Sequence, residues 1–533
     1  MLVVHRAASG AALAGGLADV LSKPPADPFA QEVVAVPAKG VERWLAQRLS
    51  HVLGAMSDDG VCANVVFPWP DRLLDDAVQS ASGEHADAVA RWAPQRSVWP
   101  LLEVIDACAG TEPWCRSLGQ HLGSRDEDKG RRFAVASRLA RLFDDYGQSR
   151  PAMLRAWAKG RDERGDGTPL EDDLSWQAEL WRRLRDRLGS TSPAELLEDA
   201  CARLKAESEV SGLPERISVF GASRLSIARL AVLAALAEHR HVHLWLHHAS
   251  PALWETVSGS NAVLRRRDDS TRSSLTNPLL ASLSRDVLEL QQLLGRCAPG
   301  FTDVHYPSAP LPATLLGRLK QDLADDLVGD SPPPLDSADR TVQIHACHGR
   351  TRQVEVLREV IVGLLAEDPS LEPRDVLVMC PDVEVFAPII AATFSLGAEV
   401  NAAHPAARLR VRLADRALQQ TNALLAVLAQ LLQLGAARIT ASQVIDLAGS
   451  PAVRQRFGFD DDEVERLRSW VVRAGVRWGL DREHRRTWQL GEVGQGTWRE
   501  DSIGCCLASP WKAASRSSLT SSRSTTSTAP TLT

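Results

Sequence analysis

Pro37, Ala38, Lys39 and Gly40 stand between an apolar β-branched run (residues 33–36) and a segment in which Trp44, Leu45 and Leu49 recur at helical spacing. A strand, a short loop and a helix in that order can hold a phosphate, because the first N–H groups of the helix lack intrahelical partners. Nucleotide hydrolysis asks for more. It needs glycines that let backbone N–H groups wrap the phosphates, a Lys for charge and a Ser or Thr for magnesium. The dipeptide Gly-Lys occurs nowhere in the 533 residues, and HRAASGAALAG near the start has glycines without the lysine. The chain thus has an NTPase-like layout without the groups that phosphoryl transfer depends on, and no ATP hydrolysis of its own is expected.

Three further groups could do chemistry. Asp144 and Asp145, in RLARLFDDYGQSRP, follow an apolar helical run and precede Arg150. Paired carboxylates suit magnesium or acid–base work, and equally a helix end whose acids pair with Arg138 or Arg141. Gly349 to Arg352 (GRTR) opens a helix and offers N–H groups and the guanidinia of Arg350 and Arg352 to a DNA phosphate. Histidines gather in EHRHVHLWLHH (His239, His241, His243, His247, His248) and, with Cys347, in HACH (His345, His348). Both runs fall on or beside expected strands, where alternate residues share a face. They suit metal ligation or polar strand ends; no complete four-ligand spacing appears, and no metal is assigned.

These residues need a frame. RISVFGASRLSIARLAVLAALAEHRHVHLWLHH reads as a βαβ unit. Residues 217–220 form a strand, Ile227, Leu230, Ala231 and Ala234 share a helix face, and Val242, Leu244 and Leu246 alternate in a second strand. This implies a parallel sheet with right-handed crossovers. Residues 2–4 give a first strand, with a helix after it. Residues 258–274 form a polar loop, and SPPPLDSAD (331–339) is a linker. From Arg340 the pattern restarts. TVQIHACHGRTRQVEVLREVIVGLLAED supplies a strand, a Gly-containing loop and an amphipathic helix, and RDVLVMCPD the next strand. Residues from about 411 to 478 look helical, with Asp460 and Glu463 at capping-box spacing before Val464, Leu467 and Val471. The expected fold class is α/β, with two parallel-sheet domains, helical insertions and no functional P-loop.

With 44% hydrophobic and 24% charged residues the chain is ordinary globular material. Its net charge of −6 gives no global sign of nucleic acid, although a basic channel can sit inside an acidic average. No apolar run is long enough to span a bilayer. His5 and Arg6 follow the first apolar residues instead of preceding them, so the start reads as structure and not as a signal peptide, and a cytoplasmic location is expected. Nine cysteines without a CxxC pair fit a reducing compartment. Fifteen Trp outnumber ten Phe and two Tyr; Trp packs in cores, and near a groove it can stack on a base.

The ordered set DPF…VPAKGVERWL…NVVFPWP, LFDDY…RP, WQAELW, FGASRLS, NPLLAS, IHACHGRTRQVEVLREVIVGLLAEDPSLEPRDVLVMCPD, WVVRAGVRWGLD and GQGTWR resembles the RecC family, the gamma subunits of exodeoxyribonuclease V (the RecBCD helicase–nuclease). The resemblance runs from Met1 to about Arg499, and family chains extend well beyond that. It implies helicase-like domains that have lost ATP hydrolysis and serve as a channel for one DNA strand during repair of double-strand breaks by recombination. The chain then has no catalytic site and no cofactor of its own. RecB-like and RecD-like partners use ATP and magnesium, and both double- and single-stranded DNA are bound. The residues it places against DNA are Lys39, Gly40, Arg43, Trp44, Trp69, Asp144, Arg150, Arg350 and Arg352. Family members recognise a regulatory sequence, Chi, with amides and hydroxyls near the first loop. This chain has Pro37, Lys39 and Arg43 there, and Trp69 where relatives have a smaller apolar residue. Lys and Arg favour phosphates, although Arg also reads guanine.

The domains implied are residues 1–330, helicase-like with a helical insertion; a linker, 331–339; residues 340–410, the start of a second helicase-like domain; and a helical subdomain, 411–498. After GQGTWRE the composition changes, and 13 of the last 22 residues are Ser or Thr. Relatives continue there into an apolar helix. Written in GC-rich codons, residues 501–506 read in another frame as Leu-Asp-Arg-Leu-Leu, so residues 499–533 are expected to be an out-of-frame, disordered tail on a truncated chain. Two other readings compete: an autonomous helicase or nuclease, disfavoured by the missing Gly-Lys and by the lack of a dense Asp/Glu/Lys cluster, and a small-molecule-binding two-domain α/β protein.

Overall fold

Six short runs assemble into one parallel sheet: β1 (Leu2–Ala7), β2 (Glu32–Ala35), β3 (Val65–Val66), β4 (Arg216–Phe220), β5 (His241–His247) and β6 (Thr302–His305), in the order β3-β2-β4-β5-β1-β6. The computed structural model describes residues 1–500 except 24, 26, 28, 55–59, 84–85, 123–128, 259–268, 330–335, 401–408, 410 and 413–421. The tail from residue 501, the middle of the polar loop and the prolines of the linker lie outside the described residues, as do parts of the segment around residue 410.

A parallel sheet is covered on both faces, and its inner strands are largely apolar on both, while the edge strand β6 is mostly exposed. One face packs Val34, Val36, Phe220 and Trp245 against Leu13 and Leu17 of α1 (Gly10–Leu21) and Leu45 and Leu49 of α2 (Lys39–Ser50). The other packs Val4, Val33, Ile217, Val219 and Leu244 against α3 (Pro70–Ser82) and against three later helices. A long helical insertion separates β3 from β4. Within it α4 (Pro94–Cys108), α5 (Lys129–Ser149), α6 (Pro151–Ala158) and α7 (Ser175–Leu188) bury a core of their own around Leu101, Ile105, Trp157 and Trp181. The chain then returns to the sheet through α8 (Pro193–Ala206) and, after β4, α9 (Ile227–Leu236). α10 (Pro251–Val257) and α11 (Arg285–Cys297) complete that side.

Three expectations change here. The first strand runs to Ala7 and not only to residue 4, because His5 is buried in a ring stack and Arg6 pairs with Asp303 at 2.8 Å on β6. The β2–α2 loop is shorter than read: the helix begins at Lys39, so Gly40 lies in its first turn, where no N–H yet needs a helical acceptor. α9 is buried nearly all round, with Val232, Leu233 and Leu236 inside, since it lies between the sheet and other helices.

The chain divides into two units at Ile344/His345. In the second, α12 (Gly349–Glu367) packs on α13 (Val383–Val400) through Val354, Ile361 and Ile390. The second sheet expected from Arg340 onward is not formed among the described residues. Residues 341–347 and 376–380 join no ladder, and Leu377 and Met379 are more than four-fifths exposed. A strand is held by neighbours on either side, and no described segment supplies them. The helical part is present. α14 (Ala423–Ala436), α15 (Ala441–Gly449) and α16 (Asp461–Ala474) follow one another, and Asp460 and Glu463 form the expected reciprocal cap.

Candidate nucleic-acid interface

In a parallel sheet the loops that bind ligands lie beyond the carboxyl ends of the strands. At this edge Val36 N–H donates to Pro68 O at 3.0 Å, which ties the end of β2 to the Pro-Trp-Pro turn before α3. A Cβ at Gly221, just after β4, would lie 4.0 Å from the Pro37 ring. Ser226 Oγ meets the Gln148 side chain at 3.1 Å, which brings the end of α5 to the same place. Four stretches distant in sequence thus share one edge.

α2 starts there without a side-chain cap, as its N-cap residue is Ala38. Its first N–H groups face outward from a helix end that attracts negative charge. Lys39 and Arg43 stand on its first two turns, both exposed. Lys39 Nζ lies 2.6 Å from Glu42, an exposed pair that is weak in water. Arg43 has no ion pair among the described residues. Trp44 is 41% exposed, tilts against Phe220 at 6.3 Å between ring centroids, and lies over the start of α1, where a Cβ at Gly10 would come within 3.6 Å of its ring. Trp69 caps α3 and is 51% exposed. Two indoles with free surface beside two cations form a surface suited to a nucleic-acid strand.

Asp144 and Arg150 lie near the end of α5. Asp144 keeps a solvent-facing edge, yet burial of its carboxyl and then the charges of Asp145 and Asp75 raise its pKa, against the opposing pull of Arg229. Arg229, buried, is itself held by Asp71 at 3.2 Å and by Asp75 at 2.5 Å. Asp144 lines a small cavity with Asp75, Gln148 and Arg229. Arg150 caps α6, where its N–H donates to Tyr146 O at 2.7 Å. Arg350 and Arg352 belong to the second unit. They stand in the first turn of α12, whose cap residue His348 makes no side-chain bond, and Arg352 pairs with Glu355 at 2.9 Å. The structure sets Lys39, Gly40, Arg43, Trp44 and Trp69 at this edge, places Asp144 and Arg150 near the end of α5 that reaches it through Gln148, and leaves Arg350 and Arg352 in a separate unit.

Of the histidine runs, His243 and His248 pack inside the first unit, whereas His239, His241, His247, His345 and His348 are exposed. His5 stacks on Trp245 at 3.8 Å, and its two ring nitrogens meet His243 Nδ1 at 2.9 Å and Tyr306 OH at 3.0 Å. His248 lies edge-on to Trp254. Burial pushes the pKa of His5, His243 and His248 down to about 4, so all three rings are neutral near pH 7. Sequence reading missed the contribution of the β4–α9 loop. The signal was available, since FGASRLS follows a strand of the βαβ unit and its loop had to emerge at this edge.

Residues 2–326 match the family model of the RecC N-terminal domain, and residues 421–500 match that of the RecBCD enzyme subunit RecC fourth domain. The chain is 46% identical to the RecBCD enzyme subunit RecC of Mycobacterium tuberculosis, over 93% of this chain and 45% of that protein. The same figures hold for its counterpart from Mycolicibacterium smegmatis. Identity to the Escherichia coli protein is 29%, over 89% of this chain and 44% of the relative. The chain thus spans less than half the length of these relatives. A parallel sheet without a Gly-Lys loop, an uncapped basic helix at its carboxyl edge and sequence identity along nearly the whole chain agree: the chain belongs to the RecC family.

Proposed function

We propose that this chain acts as a non-catalytic, DNA-contacting scaffold within a RecBCD-type helicase–nuclease, guiding one strand across the carboxyl edge of its sheet while RecB-like and RecD-like partners use ATP and magnesium. The observation that carries this reading is the convergence of the uncapped α2 N-terminus, Lys39, Arg43, Trp44 and Trp69 on one edge. Residues 1–330 then form the strand-guiding domain, 331–339 a linker, 340–410 the start of a second helicase-like domain, and 411–498 its helical subdomain. The setting proposed is the cytoplasm; among the described residues no helix is long and apolar enough to cross a membrane. Lys39 and Arg43 favour phosphates over base edges, so binding here is expected to tolerate sequence.

The test is a salt titration of single-stranded DNA binding by fluorescence anisotropy. Removing one cation from a phosphate lowers the magnitude of the salt slope by about 0.7. The triple variant Lys39→Ala, Arg43→Ala, Arg150→Ala is expected to flatten the slope by about three such steps. An unchanged slope and affinity would remove the assignment. The purified chain is also expected to show no DNA-stimulated ATP hydrolysis; turnover that persists after contaminating helicases are removed would contradict it.

A further inference from the structure

The loop from Gly221 to Ser226 joins β4 to α9 at the same edge. It is fastened along its length. Gly221 has φ +74, donates its N–H to Trp245 O at 3.0 Å and lies against Pro37. Ala222 and Leu225 are each 7% exposed, within the main core. Ser226 caps α9 by accepting from Arg229 N–H, and its hydroxyl meets Gln148. Only Ser223 and Arg224 of this loop are exposed.

Arg224 makes no ion pair among the described residues. Its neighbours in sequence differ. Arg216 is held by Glu32 and by two backbone carbonyls, and Arg229 by Asp71 and Asp75. An arginine whose charge is uncompensated, on a loop whose backbone is already fixed, can grip an anion with little further loss of backbone freedom. The loop touches Pro37, two residues before Lys39, and reaches the end of α5, just ahead of Arg150. It therefore stands between the two parts of the proposed strand surface.

We infer that Arg224 is a further phosphate-contacting residue, bridging the backbone of a strand from the α2 N-terminus toward the end of α5. This rests on the reading of the edge as a nucleic-acid surface. Each oxygen of a phosphodiester is an acceptor for the guanidinium fork, and the contact is blind to base identity.

The experiment measures binding of a labelled oligothymidylate to the full chain across a salt series, for Arg224→Ala, Arg224→Lys and the double variant Lys39→Ala/Arg43→Ala. Arg224→Ala is expected to lower the magnitude of the salt slope by about 0.7, with Arg224→Lys keeping it, because charge and not fork geometry sets that slope. If Arg224→Ala binds like the parent while the double variant is impaired, the inference falls and the strand-surface reading stands. If neither changes, the reading itself falls. A loss of affinity at an unchanged slope also overturns the inference, since the defect is then not electrostatic.

Discussion

Lys39 and Arg43 were legible from sequence because a loop between a strand and a helix fixes where early helical residues point. Arg224 was not, because nothing in FGASRLS says which loop residues turn inward; Ala222 and Leu225 do, and that depends on packing from distant segments. Trp44 tests the aromatic half of the surface. Trp44→Ala is expected to cost about 1–3 kcal/mol of single-strand binding if a base stacks there. Its exposed ring contributes less to the fold than a core Trp, so the melting midpoint should move little. An unchanged Kd at constant salt would assign Trp44 to packing alone. The motif RWGLD…GQGTWR, part of the family resemblance, has a structural meaning that its residue types did not reveal. Arg485 is 3% exposed and donates to Val493 O, Gln495 O and Trp478 O at 2.7–2.8 Å, with its guanidinium 4.4 Å from the Trp478 ring centroid. Arg485→Met leaves three carbonyls without their donor. It should destabilise the second unit by about 3 kcal/mol or more, read as a lower urea midpoint; an unchanged midpoint would refute the role.

At the scale of elements, β4, α9 and β5 were readable as elements from their apolar runs, although of the face read for α9 only Leu230 is fully buried. β1 was cut short because His5 and Arg6 look like solvent-facing residues until Trp245, Tyr306 and Asp303 are placed beside them. The buried histidines of the first unit have a pH signature. His5 and His248 titrate near 4 in the folded protein and near 6.5 when unfolded, so the unfolded chain binds more protons between those values. Stability is complete above pH 6.5 and falls as the pH drops toward 4, by up to about 3 kcal/mol per buried ring. Urea midpoints at pH 7 and pH 5 measure this, and His248→Phe should flatten the difference. A parent midpoint equal at both values would exclude the mechanism. In the second unit the two strand-like runs carried the correct apolar residues, yet alternation cannot announce an absent neighbour. Amides of residues 342–347 and 376–380 are expected to exchange hydrogen much faster than those of β1 and β5; equal protection would show that they are paired after all.

The whole molecule is uneven. The first unit holds broad clusters on both faces of its sheet and inside the helical insertion, whereas the second has small ones, such as Val354, Ile361, Ile390 and Phe394 around α12 and Ile445, Val471 and Val476 near α16. Calorimetry should therefore resolve two transitions, the second unit melting first; one cooperative transition would contradict that. This contrast was hidden in the composition, which averages over both units. The sheet order also carries a consequence for biosynthesis. β1 leaves the ribosome well before its neighbours, yet it is inserted between β5 and β6, with Leu2 beside Val242 and Val3 beside Thr302. At translation speeds of about 5–20 residues per second, it waits roughly ten to fifty seconds for its first neighbour. For that interval Leu2, Val3 and Val4 have no sheet to join. The nascent chain is then a natural client for holding chaperones, and an internal strand of the finished sheet, one in from its β6 edge, is among the last to find its place.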